Sequence, residues 1–335
     1  MKIKRQDLLK KLQLVSSGLS AAMEQTNCYV FRGDRLYTYN DEICCTVGCA
    51  EFSIKGIVES GGLLGILNKL KHENISVECS ERELLIQSSD SRTGLILETE
   101  LQLPLDAVSI PDQWSDLDPN FSTAVGLAKE CASKDTSRFD LVCVHIHPNW
   151  IESCDDSQMI RYKLKTGLPK SVLVRASSLR QFDSLGMDQI AFDETWLHFR
   201  NSTEDLTYSV RKYEEPYPEM TKFYKVKGST LQFPGGLKEK IDAANLFSSD
   251  STNETNQILI ELSPGKMKIK GTGSYGWHEV RSKVSYTGDP LSFLVSPRLL
   301  ADFSSKAHEC SVTAERLLVN GDGYKWLGCL VAAGE

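Results

Sequence analysis

No run of about eighteen apolar residues occurs anywhere in the sequence, so no helical membrane span is expected. The opening Met1-Lys2-Ile3-Lys4-Arg5 runs into polar Gln6 and Asp7 rather than an apolar block, so no secretory signal is expected. Positive charge is in short supply. The 38 Lys and Arg face 45 Asp and Glu, a net charge of -7. That balance argues against nucleic-acid binding unless the cations gather on one face. The ten cysteines lack the spacing of a disulfide module, and a chain of 335 residues does not need such staples. Free thiols packing as small hydrophobes, in the cytoplasm, are the expectation.

What is present is a repeat. Ser292-Phe293-Leu294-Val295-Ser296-Pro297 leads into Arg298-Leu299-Leu300-Ala301-Asp302-Phe303-Ser304-Ser305-Lys306, followed by strands at 310–313 and 316–320. Pro297 suits the first helical position, and Ser296 is placed to cap the free amides. Leu299, Leu300 and Phe303 form an apolar stripe. Arg298, Asp302 and Lys306 follow one another at every fourth position on another face. The same phrase begins at Ser53, with helix residues 62–70, and at Ser171, with helix residues 178–185. The three starts lie about 120 residues apart, so the chain reads as three domains of similar build.

Domain one is expected over 1–113. It has a strand at 3–5, a helix at 6–20 carrying Leu8, Leu9, Leu12 and Val15, and strands at 28–31, 35–39 and 43–49. A second half follows: strand 52–58, helix 60–71, and strands 75–79, 83–88 and 93–101. The stretch 104–114 is a candidate linker. Domain two, 114–216, has a helix at 119–134 on Phe121, Val125, Leu127 and Ala128, with strands at 139–147, 150–154 and 159–165. Its second half is strand 171–176, helix 178–185, and strands 189–192, 195–200 and 206–213. Pro216-Tyr217-Pro218 marks the next boundary. Domain three, 217–335, has a strand at 230–233 and a helix at 235–247 with Leu237, Ile241, Ala244 and Leu246 facing inward. A polar loop at 250–256 precedes strands 257–262, 266–271 and 278–287, and a final strand runs over 324–332. Each domain is a doubled strand–helix–sheet unit, a sheet-dominated α+β class. The sheets cover each helix on one side only.

The charge deficit is not uniform. The six expected helices, with their ends, carry twelve basic residues: Arg5, Lys10, Lys11, Lys69, Lys71, Lys129, Lys134, Arg180, Lys238, Lys240, Arg298 and Lys306. Against them stand Asp7, Glu130, Asp183, Glu239, Asp242 and Asp302, which leaves the helices near +6 and the rest near -13. Basic helices in an acidic shell suit a surface that meets phosphate on one face. Solvated helix faces rich in good helix formers are the bland alternative. None of these positions offers a base-reading arrangement, so binding would ignore sequence.

Other motifs are weaker. Cys143, His145 and His147 alternate on one strand and share a face. With no fourth ligand in view, an exposed sheet face is the commoner explanation, ahead of a zinc site. Cys44, Cys45 and Cys49 read as strand packing before metal binding. Asp155-Asp156 has no neighbouring His or Lys and reads as a turn before a catalytic pair. Gly61-Gly62 and Gly235-Gly236 precede helices without the Lys-Ser/Thr of a phosphate loop. No nucleophile elbow stands out. No cofactor and no metal are expected.

In the order and spacing of these pieces the chain resembles the bacterial-type DNA polymerase sliding clamps, the polymerase III β subunits. The local marks are Leu8-Leu9-Lys10, Ser137-Arg138-Phe139-Asp140-Leu141, Phe293-Leu294-Val295-Ser296, and Tyr217-Pro218-Glu219-Met220, which is similar to the family's Phe-Pro-Asp-Tyr linker. The resemblance implies a homodimeric ring, helices lining the hole and sheets outside, that encircles duplex DNA, slides, and tethers polymerase and clamp loader. The basic residues above would line the hole, and Arg138 matches a family loop position that touches DNA. A partner-peptide pocket between domains two and three would use Leu141, Cys154, Asp155, Asp156, Ser157, Gln158, Met159, Leu327, Gly328, Cys329, Leu330 and Val331. Leu246 and Phe247 are candidate dimer contacts. The chain departs from the family in places. The usual Thr-Asp-Gly-His-Arg-Leu survives only at Asp155, the Met-Pro-Met-Arg-Leu ending is absent, and Met23-Glu24-Gln25 lacks a basic residue. These departures imply a divergent member with its own partner peptides. A clamp-derived interaction module that no longer encircles DNA is the alternative.

Overall fold

A computed structural model describes residues 1–249 and 256–333. The polar loop expected at 250–256 therefore lies, apart from Asn256, outside the described residues.

The helices form where apolar periodicity and end signals agree. Helix α1 (Arg5–Val15) buries Leu8, Leu9, Leu12 and Val15 and stops earlier than expected, passing into a 3-10 turn over Ser16–Gly18. Serine and glycine are poor helix formers, and the Ser16 hydroxyl donates to the Gln13 carbonyl at 2.8 Å. Helix α2 (Ser60–Lys69) is capped by the Glu59 carboxylate, which accepts from the Gly61 and Gly62 amides at 2.9 and 2.7 Å. Those amides are thus occupied by the chain's own carboxylate. Helix α3 (Phe121–Cys131) buries Phe121, Ala124, Val125, Ala128 and Cys131.

The helix expected at 178–185 is replaced by two 3-10 turns, Ala176–Leu179 and Phe182–Ser184. The Ser184 hydroxyl donates to the Gln181 carbonyl at 2.7 Å, and Gly186 turns left-handed (φ 61°) soon after. Helix α4 (Leu237–Ser248) buries Leu237, Ile241 and Ala244, but Leu246, expected inward, is 76% exposed. It sits two residues past Ala244 and so falls on the opposite face. Helix α5 (Pro297–Lys306) starts with Pro297 as expected, yet the Ser296 side chain makes no capping bond.

Several strands are shorter than expected. Ser53 is left-handed (φ 47°), so the strand there is only Gly56–Glu59. The strand near 93–101 is Arg92–Ile96, that near 139–147 is Cys143–His147, and the last stretch splits into Tyr324–Cys329 and Val331–Ala332, which join different sheets.

The described chain divides into two compact units. The first holds 1–129, 146–148 and 165–215; the second holds 130–145, 149–164 and 216–335. In the first unit an eight-stranded sheet joins Ile43–Gly48 to Leu206–Arg211, antiparallel, with Cys45 opposite Tyr208. A four-stranded sheet there ends in Arg92–Ile96 as its edge. In the second unit Gln158–Lys163 pairs with Tyr324–Cys329, Met159 opposite Leu327. A five-stranded sheet in that unit ends in Gly276–Lys283 as one edge. Sheet pairing thus bonds strands about 160 residues apart in sequence, so the units cut across the middle of the sequence repeat.

Candidate functional site

The second unit gathers an apolar cluster on one face of its long sheet. Leu141, Cys154, Leu318 and Leu327 form the floor, and Met220 and Tyr224 lie on them, all nine-tenths or more buried. Met159, Tyr217, Phe223 and Val226 pack around the edge and remain partly exposed. Four predicted pocket residues therefore meet here: Leu141, Cys154, Met159 and Leu327. The alternation of strands places Met159 and Leu327 on the same face as directly opposed partners.

The other predicted pocket residues sit elsewhere. Gln158 faces the opposite side of the sheet, where its side-chain oxygen accepts from the Trp326 indole at 3.1 Å. Gly328 faces that side too, and a Cβ there would press on Phe303 and Leu299. Asp155 organises a turn: its Oδ1 accepts from the Ser157 and Gln158 amides at 2.7 and 2.8 Å. Asp156 and Ser157 are exposed in that turn, and Cys329 donates its amide to the Ser157 carbonyl at 2.7 Å. The Leu330 side chain is buried, and Val331 is half-exposed beside Leu294 of the five-stranded sheet.

Sequence reasoning missed Met220, Tyr224, Leu318, Phe223 and Val226. The signal was the density of large apolar side chains straight after Pro216-Tyr217-Pro218, a segment without regular structure. A polar brace holds that segment. Glu152 is buried and accepts from Arg161 Nε at 2.6 Å, with His145 Nδ1 at 2.7 Å from its other oxygen. Arg161 reaches on to the Thr221 hydroxyl at 3.0 Å and lies over the Trp150 and Tyr224 rings. The His145 ring stacks on Tyr217 at 4.7 Å, and the Tyr217 hydroxyl donates to Cys154 Sγ at 3.6 Å. Burial pushes the Cys154 thiol and the Tyr217 hydroxyl above their ordinary pKa values, so both stay neutral. A buried thiol of that kind is an inert packing group.

The first unit has a counterpart. Cys28, Val30, Tyr39, Cys44 and Ile57 make a floor on which Leu103 and Leu105 of the 104–114 stretch and its approach are packed, closed by Trp196. Trp196 opens the strand Trp196–Asn201 and pairs with Arg211, the last residue of the partner strand that follows, Leu206–Arg211. Arg316 occupies the same register position in the second unit, opening Arg316–Asn320 opposite Cys329. The first cluster is sealed by an indole, itself covered by Arg211 at 4.5 Å. The second has a half-exposed guanidinium there, 5.8 Å from the Phe223 ring, with Lys222 Nζ 5.1 Å from the same ring.

The predicted cationic residues fall into two groups. Arg5 donates to the Leu67 and His72 carbonyls, satisfying the end of α2. Lys10 pairs with Glu204 at 2.7 Å, Lys129 with Asp183 at 2.5 Å, Arg138 with Asp140 at 3.0 Å, and Arg298 with Glu130 at 3.3 Å. Lys306 lies 4.9 Å from the Trp326 ring. Among the described residues, no carboxylate stands within ion-pair range of Lys11, Lys69, Lys71, Lys134, Arg180, Lys238 or Lys240. These seven keep their charge available. Of the dimer candidates, Leu246 is exposed, and Phe247 stacks on His278 at 5.9 Å.

Among the described residues, no group of three or more His, Cys, Asp or Glu side chains could hold a metal ion, so Cys143, His145 and His147 do not assemble one. The ten cysteines are free thiols, eight of them buried. No helix among the described residues is long and apolar enough to cross a membrane.

No family model and no curated protein matches the chain. Solved structures do. The DNA polymerase III beta chain of Streptococcus pneumoniae superposes with a TM-score of 0.85 at 16% identity, covering 99% of both chains. The beta subunit of Thermotoga maritima gives 0.83 at 14% identity, again covering 99% of each. That of Pseudomonas aeruginosa gives 0.79 at 16% identity, with 99% of this chain and 100% of that one covered.

Proposed function

We propose, taking as premise that this chain has the sliding-clamp fold from end to end, that it is a non-catalytic processivity factor. Three clamp domains, 1–113, 114–216 and 217–335, would close with those of a second copy into a ring around duplex DNA. The observation that carries this reading is the coverage: both chains are matched over essentially their whole length. Such a ring needs no cofactor, because it works by topology. It holds polymerase at high effective concentration near the primer end while remaining free to slide.

Lys11, Lys69, Lys71, Lys134, Arg180, Lys238 and Lys240, which find no carboxylate among the described residues, are the lining residues of this reading. Diffuse attraction to phosphate, without base contacts, permits sliding. Self-association would use two of the sheet edges, Arg92–Ile96 and Gly276–Lys283, since an unpaired edge is a template for another strand. Exposed Ile96 lies on the first, and exposed Trp277 with Tyr275 and Leu246 lies at or near the second. The cluster of the second unit would receive short peptides of polymerase and clamp loader. Met159, Phe223 and Val226 supply its open apolar rim, and Arg316 with Lys222 favours peptides that carry a carboxylate.

Light scattering is expected to give a dimer. After loading by the cognate loader, circular duplex DNA should retain the protein and linear DNA should lose it. Equal retention on both would refute encirclement. Changing Lys69, Lys71 and Lys238 together to Glu should reduce retention on circles with the dimer intact.

A further inference from the structure

The irregular segment that roofs the second unit's apolar cluster is tied down by one buried carboxylate. No helix or strand lies between Arg211 and Ser229, so regular backbone pairing does not fix the course of residues 217–226. Two side chains of that segment, Phe223 and Val226, stay partly exposed at the rim. Glu152 is 2% exposed and stands opposite Arg161 on the paired strands Trp150–Cys154 and Gln158–Lys163. Its two oxygens serve separate arms. Oε1 lies 2.7 Å from His145 Nδ1, and the His145 ring stacks on Tyr217. Oε2 accepts from Arg161 Nε at 2.6 Å. Arg161 Nη1 donates to the Thr221 hydroxyl at 3.0 Å, and the guanidinium lies 5.5 Å from the Tyr224 ring. The arms thus reach the segment on both sides of Met220, which is buried in the cluster.

A buried ion pair is a poor source of net stability, because desolvation offsets most of the attraction and apolar residues of similar volume commonly replace it without loss. What the pair does supply is direction, through charge-assisted hydrogen bonds of fixed geometry. We infer that Glu152 is a positioning residue for partner binding: through His145 and Arg161 it sets the course of 217–226 and so holds Phe223 and Val226 as a preformed rim. A preformed rim spares a docking peptide the ordering of that segment. The effect on binding rests on the peptide-docking role proposed for the cluster, whereas the hold on the segment does not.

Two variants of the full chain separate position from stability. Glu152→Leu combined with Arg161→Met removes both arms and leaves no buried charge, so melting should stay near wild type. Glu152→Gln keeps an acceptor for Arg161 and a partner for His145 but strips the guanidinium of its counter-charge, so melting should fall. Affinity for a labelled peptide bearing Leu, Phe and one Asp, read by fluorescence anisotropy where every form is folded, should run the other way. The double variant should lose about tenfold, because binding must then also order the segment, and the Gln variant less than about threefold. Amide exchange over 217–226 should quicken in the double variant and not in the Gln variant. Affinity that follows melting in both variants, wild-type affinity in the double variant, or unchanged exchange over 217–226 would overturn the inference. Should the double variant fail to fold, exposed Thr221 decides by the same criteria: Thr221→Val should loosen the segment and weaken the peptide, and Thr221→Ser should do neither. If wild type binds no such peptide, the docking role proposed above fails, and amide exchange alone decides whether Glu152 holds the segment.

Discussion

The two apolar clusters are built alike and end differently. Each lays a stretch of irregular chain across a sheet face, Leu103 and Leu105 in the first unit and Met220 and Tyr224 in the second. At one register position the first has Trp196 and the second has Arg316. An indole fills its site and excludes water, so the first cluster is a piece of core. A guanidinium keeps its charge at the surface, so the second keeps a partly open apolar rim with cations beside it. One architecture thus yields a closed structural joint and a partly open apolar surface, with different side-chain chemistry at one register position.

That contrast can be broken most directly at Trp196. Trp196→Ala should cost about 3–5 kcal/mol of stability, as removal of a buried aromatic does. Arg316→Ala at the matching position should cost no more than about 1 kcal/mol. Calorimetric melting of the two variants decides, and equal losses would end the claim that one cluster is closed and the other open. A smaller effect is expected when the second cluster is made to imitate the first. Arg316→Trp should leave stability unchanged or slightly raised. It should weaken binding of a labelled peptide bearing Leu, Phe and one Asp by about tenfold. Undiminished binding would place the peptide site elsewhere.

The smallest effect comes from pH. His198 is buried in the first unit, and burial holds its pKa below the ordinary value although Asp193 pulls upward from 3.4 Å. The unfolded chain therefore takes up a proton near about pH 6.5 that the folded imidazole refuses. Stability should fall as pH drops through that value, by less than about 1.4 kcal/mol per pH unit for this one group. Denaturant midpoints at about pH 7.5 and about pH 5 check the slope, and His198→Gln should flatten it.

Much of the fold was legible because helix and strand periodicities are local. The apolar stripes of α1 and α5, Leu237, Ile241 and Ala244 of α4, and most strands lay where spacing placed them, whereas Leu246 did not. The expected helix at 178–185 failed because serines such as Ser184 prefer local turns and Gly186 follows in a left-handed conformation, a competition that apolar spacing does not report. Of the second unit's apolar cluster, the resemblance pointed to Leu141, Cys154, Met159 and Leu327. It did not point to Leu318, on the strand Arg316–Asn320, or to Met220, Tyr224 and Phe223, whose place depends on an irregular segment crossing the sheet. The cations divided for a similar reason. Lys10 and Lys129 looked like Lys69 and Lys238 in sequence, yet Glu204 and Asp183, far along the chain, neutralise the first two.

By itself, the amino-acid order determined the repeat, the helix faces and the gathering of positive charge on helices, since all three depend on neighbours within a few residues. Only the tertiary structure decided which lysines keep their charge and which apolar segment covers which sheet. Those outcomes depend on strands paired across about 160 residues, and no local rule encodes which distant carboxylate or methionine that pairing will deliver.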